Sequence, residues 1–141
     1  MSRPLVVVVD TDAIVAQIKK DDKNHLVAMA ISGSLVDSNA LVIYPATTVA
    51  EAVTFIQRSL NNPKVAHGTA RLMASSSAQV AAVNQATLNN AMKYFSATGS
   101  KKNTLFDCIV IAVAKEVHAD AIFSFDRFYK KQGFKLASET I

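Results

Sequence analysis

Four acids stand where this chain passes from one expected element to the next: Asp10, Glu51, Asp107 and Asp126. Asp10 closes the valine run 6–9, and Asp12 follows one residue later. A carboxylate at the end of a buried strand is costly to dehydrate unless a helix N-terminus, a basic partner or a metal ion compensates it. No basic residue neighbours Asp10, Glu51 or Asp107 closely in sequence, although Arg127 adjoins Asp126. Gathered together, the four would repel one another, so a hard cation such as Mg²⁺ or Mn²⁺ is their natural partner. A metal so held activates water and neutralises charge on a phosphoryl group under attack.

Each acid also has an ordinary structural explanation. Thr48 and Glu51 have capping-box spacing, and so do Thr104 and Asp107. Asp10 or Asp12 could cap a first helix, and Asp126 with Arg127 could form a turn after a strand. Caps account for the acids one at a time. They leave unexplained why all four fall at one expected edge of one sheet.

The elements that must position them follow from the apolar pattern. Leu5 to Val9 is apolar and mostly β-branched, as in a strand buried on both faces of a parallel sheet. A helical pattern then runs from Ile14 through the charged residues 19–23 to a stop near Gly33. Leu41 to Tyr44 reads as a second strand ended by Pro45, and Thr48 to Leu60 as a helix closed by Asn61, Asn62 and Pro63. A further short helix is expected within 64–77, a weak strand at Val80 to Val83 and a helix at Ala86 to Phe95. After the polar loop 97–103, Leu105 to Val117 is apolar nearly all round and should be a central buried helix. Ala121 to Phe125 reads as a strand ending at Asp126, and Lys135 to Ala137 as a possible last one. Strands alternating with helices make this an α/β chain with a mainly parallel central sheet flanked by helices. Ligands of such sheets gather beyond the carboxyl ends of the strands, where these acids lie.

Composition narrows the setting. The 141 residues fit one domain, 1–141, and 50% hydrophobic against 18% charged argues for a packed core over disorder. The single cysteine, Cys108, cannot form an internal disulfide, which fits a reducing, cytoplasmic compartment. No apolar stretch approaches the ~20 residues needed to span a bilayer. The net charge is +4, and from Lys93 onward eight Lys/Arg stand against five Asp/Glu. Basic residues bracketing an acidic site suit a polyanion whose phosphates must reach a metal. His25, His67 and His118 are scattered without metal-ligand spacing. No Gly-rich phosphate loop appears among four glycines. The three tyrosines and seven phenylalanines form no recognisable stacking pattern.

With these residues in view, the sequence resembles the PIN-domain ribonucleases, above all the short VapC-type toxins of toxin–antitoxin pairs. The resemblance rests on VVVVDTDAI, on TTVAEAVTF around Glu51, on NTLFDCIVIAVAKE around Asp107 and on AIFSFDRFYKK around Asp126. It implies a single PIN-like domain that hydrolyses RNA phosphodiester bonds with Mg²⁺ or Mn²⁺. Asp10 and Asp107 would be central ligands, with Glu51 and Asp126 binding directly or through water. Thr104 and Ser124 would be hydrogen-bonding supports. Lys101, Lys102, Arg127 and Lys130 would contact phosphates. It further implies a small antitoxin partner and a homodimer, for which the apolar residues of the first and third helices could supply a surface. Asp12 stands where many relatives carry Ser, Thr or Asn, so it could be an acceptor behind the ligands or a water-mediated ligand.

Two other readings compete. The opening Asp-x-Asp also resembles haloacid-dehalogenase-type phosphatases, with Asp10 as nucleophile, Asp12 as acid/base, and Thr47 and Lys101 in support. That reading lacks a second acid beside Asp126 and leaves Glu51 and Asp107 without work. A PIN-like module that only binds RNA or protein is the other; its mark would be missing acids, and all four are present.

Overall fold

The computed structural model describes residues 3–99 and 102–140. Four parallel strands form one sheet in the order β3-β2-β1-β4: β1 Val6–Val9, β2 Leu41–Pro45, β3 Gln79–Ala81 and β4 Ala121–Phe123. Val8 pairs with Ile43 on one side and Ile122 on the other, so β1 is a central strand. Its side chains alternate between two cores, as strand geometry requires. Val8 and Ile122 point into a core made with the helix Leu105–Glu116. Val7, Val9, Ala121 and Phe123 point into the opposite core. Each fully buried valine contributes about 1.5–3 kcal/mol of apolar transfer, which is why a run of four fixes this strand at the centre.

Seven helices among the described residues cover the sheet: α1 Thr11–Ile18, α2 His25–Asp37, α3 Ala46–Arg58, α4 Pro63–Ala74, α5 Gln85–Ala91, α6 Leu105–Glu116 and α7 Phe128–Lys131. Among the described residues none is long and apolar enough to cross a membrane. The expected first helix is two helices. Asp22 interrupts it by donating its N–H to the Lys19 carbonyl and accepting the Asn24 N–H on its side chain. Gly33 does not stop α2, which continues to Asp37 and ends before Asn39 in the left-handed region at φ 55°. Asn61 closes α3 in the same conformation at φ 50°, and Asn62 caps α4 by accepting the Val65 N–H. Residues 108–114 of α6 are all buried, as its unbroken apolarity requires. Two expected strands shrink. β4 stops at Phe123, and Leu136 makes only an isolated bridge to Ile122 before the turn Ala137–Glu139.

The strand order sets where a ligand can sit. The chain steps outward from β1 to β2 to β3, then crosses back to lay β4 on the other side of β1. The switch point therefore lies between the carboxyl ends of β1 and β4, where flanking connections diverge and leave a crevice. At the opposite end, Asp120 pins both strands. It accepts the Val6 N–H at 2.8 Å and a two-pronged guanidinium from Arg3 at 2.7 and 2.8 Å. The Arg3 hydrogen bond is the main reason its pKa is held down at about 2. Arg3→Ala should cost little, because the pair is largely solvated. Asp120→Ala should cost more, about 1–3 kcal/mol, because it also strips the acceptor from a strand N–H. Urea unfolding of the two variants checks this order.

Candidate active site

The crevice at the switch point is a cleft of about 360 Å³, and Asp10, Asp12, Glu51, Asp107 and Asp126 all line it. Thr11, Val15, Asp22, Asn24, Phe55 and Lys102 complete the wall. A hollow of similar size, about 380 Å³, lies near Leu35, Val36, Leu41 and Leu72 and has no charged side chain in its lining. Charge, not volume, marks the first as the candidate site.

Each acid is delivered by a different element. Asp10 is the N-cap of α1, its Oδ1 accepting the Thr11 N–H at 2.8 Å. The capping explanation of Asp10 is therefore correct, yet it uses only one carboxylate oxygen. Oδ2 accepts from Ser124 Oγ at 3.0 Å and Tyr129 OH at 2.9 Å. Asp12 Oδ2 accepts the Phe125 N–H at 2.9 Å and the Ser124 hydroxyl at 3.1 Å. Its other oxygen, Oδ1, is buried with no hydrogen-bond partner, a costly state for a carboxylate.

Glu51 does not cap α3. That helix starts at Ala46, directly after Pro45, with no side-chain cap. Thr48 and Glu51 thus lie inside it, and the capping-box spacing is coincidental. Glu51 instead accepts a hydrogen bond from Thr11 Oγ1. For Asp107 the capping geometry is present, with the Thr104 N–H donating to Oδ2 at 2.9 Å. Its Oδ1 accepts from Tyr129 OH at 3.3 Å. Asp126 follows β4 by way of Ser124, whose Oγ accepts the Asp126 N–H at 3.0 Å. Its own oxygens accept the Phe128 N–H at 2.9 Å and Asn103 Nδ2 at 3.3 Å.

The electrostatics follow from this crowding. Burial, then repulsion from Asp12 and Asp107, raises the Asp10 pKa to about 8. Burial raises Asp12 to about 6, with Asp126 adding to it. Glu51 and Asp107 are raised as well, mainly by burial, with repulsion from Asp107 and Asp126 respectively. Burial and the neighbouring carboxylates push the Tyr129 phenol far upward, so it stays a neutral donor. Among the described residues, no three His, Cys, Asp or Glu side chains are gathered closely enough to hold a metal ion as they stand. The sequence expectation of four acids converging on one point is thus met only as far as one shared cleft. Protein donors occupy several of the carboxylate oxygens. The donor set itself, hard oxygens with one buried oxygen unpartnered, fits a hard divalent cation.

Of the expected supports, Ser124 is buried and bridges Asp10 and Asp12, while Thr104 reaches Asp107 through its backbone. Sequence reasoning missed Tyr129, which is fully buried and hydrogen-bonds both Asp10 and Asp107. It missed Asn103 and Thr11 too. The available signal was position: Tyr129 lies three residues after Asp126, on the short helix that Asp126 opens. Lys102 lines the cleft, Lys130 pairs with Glu139 at 3.4 Å, and Lys101 lies outside the described residues.

The phosphatase reading fails on this geometry. Thr47 does not line the cleft, whereas Glu51 and Asp107, which it leaves idle, do. Among solved structures, the crystal structure of Mycobacterium tuberculosis VapC20, a sarcin–ricin loop cleaving toxin, superposes with a TM-score of 0.79. The two are 19% identical, and the match covers 91% of this chain and 95% of that one, which establishes a shared fold. No curated protein matches the sequence. The family model of the PIN domain matches residues 7–135, spanning every strand and every acid of the cleft but the first residue of β1. By that match, and by the fold that carries it, the chain belongs to the PIN domain family.

Proposed function

We propose that this protein is a metal-dependent endoribonuclease that hydrolyses RNA phosphodiester bonds, and that it is the toxin of a VapBC-type pair. The observation that carries the proposal is one cleft at the sheet's switch point lined by six carboxylates, Asp22 at its wall among them, one of the six with a buried, unpartnered oxygen. Asp10, Glu51, Asp107 and Asp126 would hold Mg²⁺ or Mn²⁺, and Asp12 would assist directly or through water. When bound, the cation supplies an activated water and offsets charge on the phosphoryl oxygens.

The rest is work for the chain's own side chains. Tyr129 and Ser124 orient Asp10, Thr11 orients Glu51, the Thr104 N–H orients Asp107, and Asn103 steadies Asp126. Such outer partners fix ligand orientation and tune affinity. Lys102, in the cleft wall, and Arg127, beside Asp126 in sequence, would contact phosphates without choosing sequence. Exposed apolar side chains on α2 (Leu26, 81% exposed; Val36, 72%) and α4 (Leu72, 58%) support an antitoxin or a second copy as partner.

The test is cleavage of mixed cellular RNA, and of a sarcin–ricin loop oligonucleotide, by purified partner-free protein with Mg²⁺ or Mn²⁺. Discrete fragments are expected, lost with EDTA and with Asp107→Asn. Cleavage that survives both would assign the activity to something other than this cleft. No cleavage by the folded protein under either metal would favour a binding module.

A further inference from the structure

We propose that the exposed face of α3 extends the acidic cleft into a subsite for single-stranded RNA, where Phe55 stacks on an unpaired base and Arg58 holds a neighbouring phosphate. The inference rests on the ribonuclease reading above and deepens it.

A second, more open hollow of about 510 Å³ adjoins the cleft. Glu51, Thr54, Phe55, Arg58 and Ser59 line it, and it shares Glu51 and Phe55 with the cleft. These five lie at helical spacing on one face of α3 and its C-cap. The adjoining face buries Thr48, Ala52 and Ile56, and Phe55 lies at its edge, a member of neither hydrophobic core. Its ring is 37% exposed among polar neighbours. A lone exposed phenylalanine is unremarkable by itself. This one forms the common wall of two hollows, one of which holds the chemistry.

Arg58 supplies the complementary charge. Among the described residues it makes no ion pair and no side-chain hydrogen bond, so its fork is available to an anion. Glu51 and Arg58 are seven residues apart, about 10 Å along the helix axis. That distance equals roughly three stacked nucleotides at about 3.4 Å each, or fewer in an extended strand. A strand with one phosphate in the cleft therefore passes over Phe55 and sets a later phosphate at Arg58. Acid, aromatic, base: the order along α3 matches what a single strand presents. A duplex keeps its bases stacked inside and cannot offer one to the ring.

The test separates this subsite from the nuclease itself. An unstructured RNA oligonucleotide carrying 2-aminopurine is titrated into the full-length protein in EDTA, with the same sequence as a duplex for comparison. The single strand should bind with a fluorescence change that the duplex lacks. Phe55→Ala should weaken binding about tenfold or more and remove that change, Phe55→Tyr should keep both, and Phe55→Leu should behave like Phe55→Ala. Arg58→Ala should flatten the plot of log affinity against log salt by about 0.7. In a cleavage assay with metal, Phe55→Ala should raise KM about tenfold with kcat within about twofold. Melting curves confirm that each variant folds.

Variants of Phe55 and Arg58 that bind and quench like the parent would overturn the subsite and leave the nuclease standing. Full retention by Phe55→Leu would also overturn it, because stacking would not be the source. If the protein binds RNA through Phe55 and Arg58 but cleaves nothing, the subsite stands and the nuclease reading fails. If the parent does not bind single-stranded RNA, the subsite is wrong.

Discussion

Asp10→Asn is expected to abolish RNA cleavage and, in EDTA at pH 8, to make the protein more stable than its parent. The two effects share one cause. The Asp10 carboxyl is buried beside Asp12 and Asp107, and its pKa stands at about 8 against 3.8 for the ordinary group. Between those values the folded state holds a proton that the unfolded chain has released. Metal-free stability therefore falls as pH rises from about 4 to about 8, and levels off above. Asp12, at about 6, adds to the fall between pH 4 and 6. Asparagine removes the main charge and keeps the contacts, with its oxygen accepting the Thr11 N–H and its amide donating to the Tyr129 or Ser124 hydroxyl. The variant should melt about 5 °C or more above the parent at pH 8 in EDTA, with the advantage gone near pH 4. Mn²⁺ should close the gap by stabilising the parent. Cleavage should fall at least about a thousandfold, because several kcal/mol of transition-state stabilisation pass through the metal. Parallel melting curves and cleavage rates read both.

Tyr129→Phe is expected to weaken both the fold and the site, although Tyr129 touches no solvent. Its hydroxyl lies 2.9 Å from Asp10 Oδ2 and 3.3 Å from Asp107 Oδ1, and its one proton serves both. Removing it leaves buried carboxylate oxygens one donor short, at a cost of about 1–3 kcal/mol. The ring stays packed against Phe128 at 5.6 Å between centroids, so no cavity opens. Half-maximal metal concentration for cleavage should rise about 10- to 100-fold, the usual consequence of losing an orienting partner. A phenylalanine variant with unchanged metal requirement would reduce Tyr129 to a packing residue.

The strands and the cleft acids were readable for one reason, and Tyr129 was hidden for another. Four valines can lie only in a central strand, and a central parallel strand delivers its last residue to the ligand edge. Asp10 and, through β4, Asp126 follow from that rule. Asp107 was legible as both cap and cleft residue because it caps α6 and lines the cleft. Glu51 does line the cleft while its capping explanation failed, since α3 starts at Ala46, about half a turn before Thr48. Asp22 broke the first helix through local hydrogen bonds that the apolar period does not register. Tyr129 sits on a four-residue helix without periodicity of its own, and only the crossover that lays β4 beside β1 brings it under Asp10. Phe55 was passed over with the other phenylalanines, because a helical stripe cannot tell a ring at its edge from one at its centre.

The account turns on whether these carboxylates take up a divalent cation, and Mn²⁺ uptake followed by the electron paramagnetic resonance signal of the free ion asks that directly. It needs no substrate and no partner. Saturable uptake by the parent protein, lost in Asp10→Asn and in Asp107→Asn while both variants remain folded, is the predicted result. No uptake by the parent, or uptake that both substitutions leave unchanged, would contradict a metal centre in this cleft.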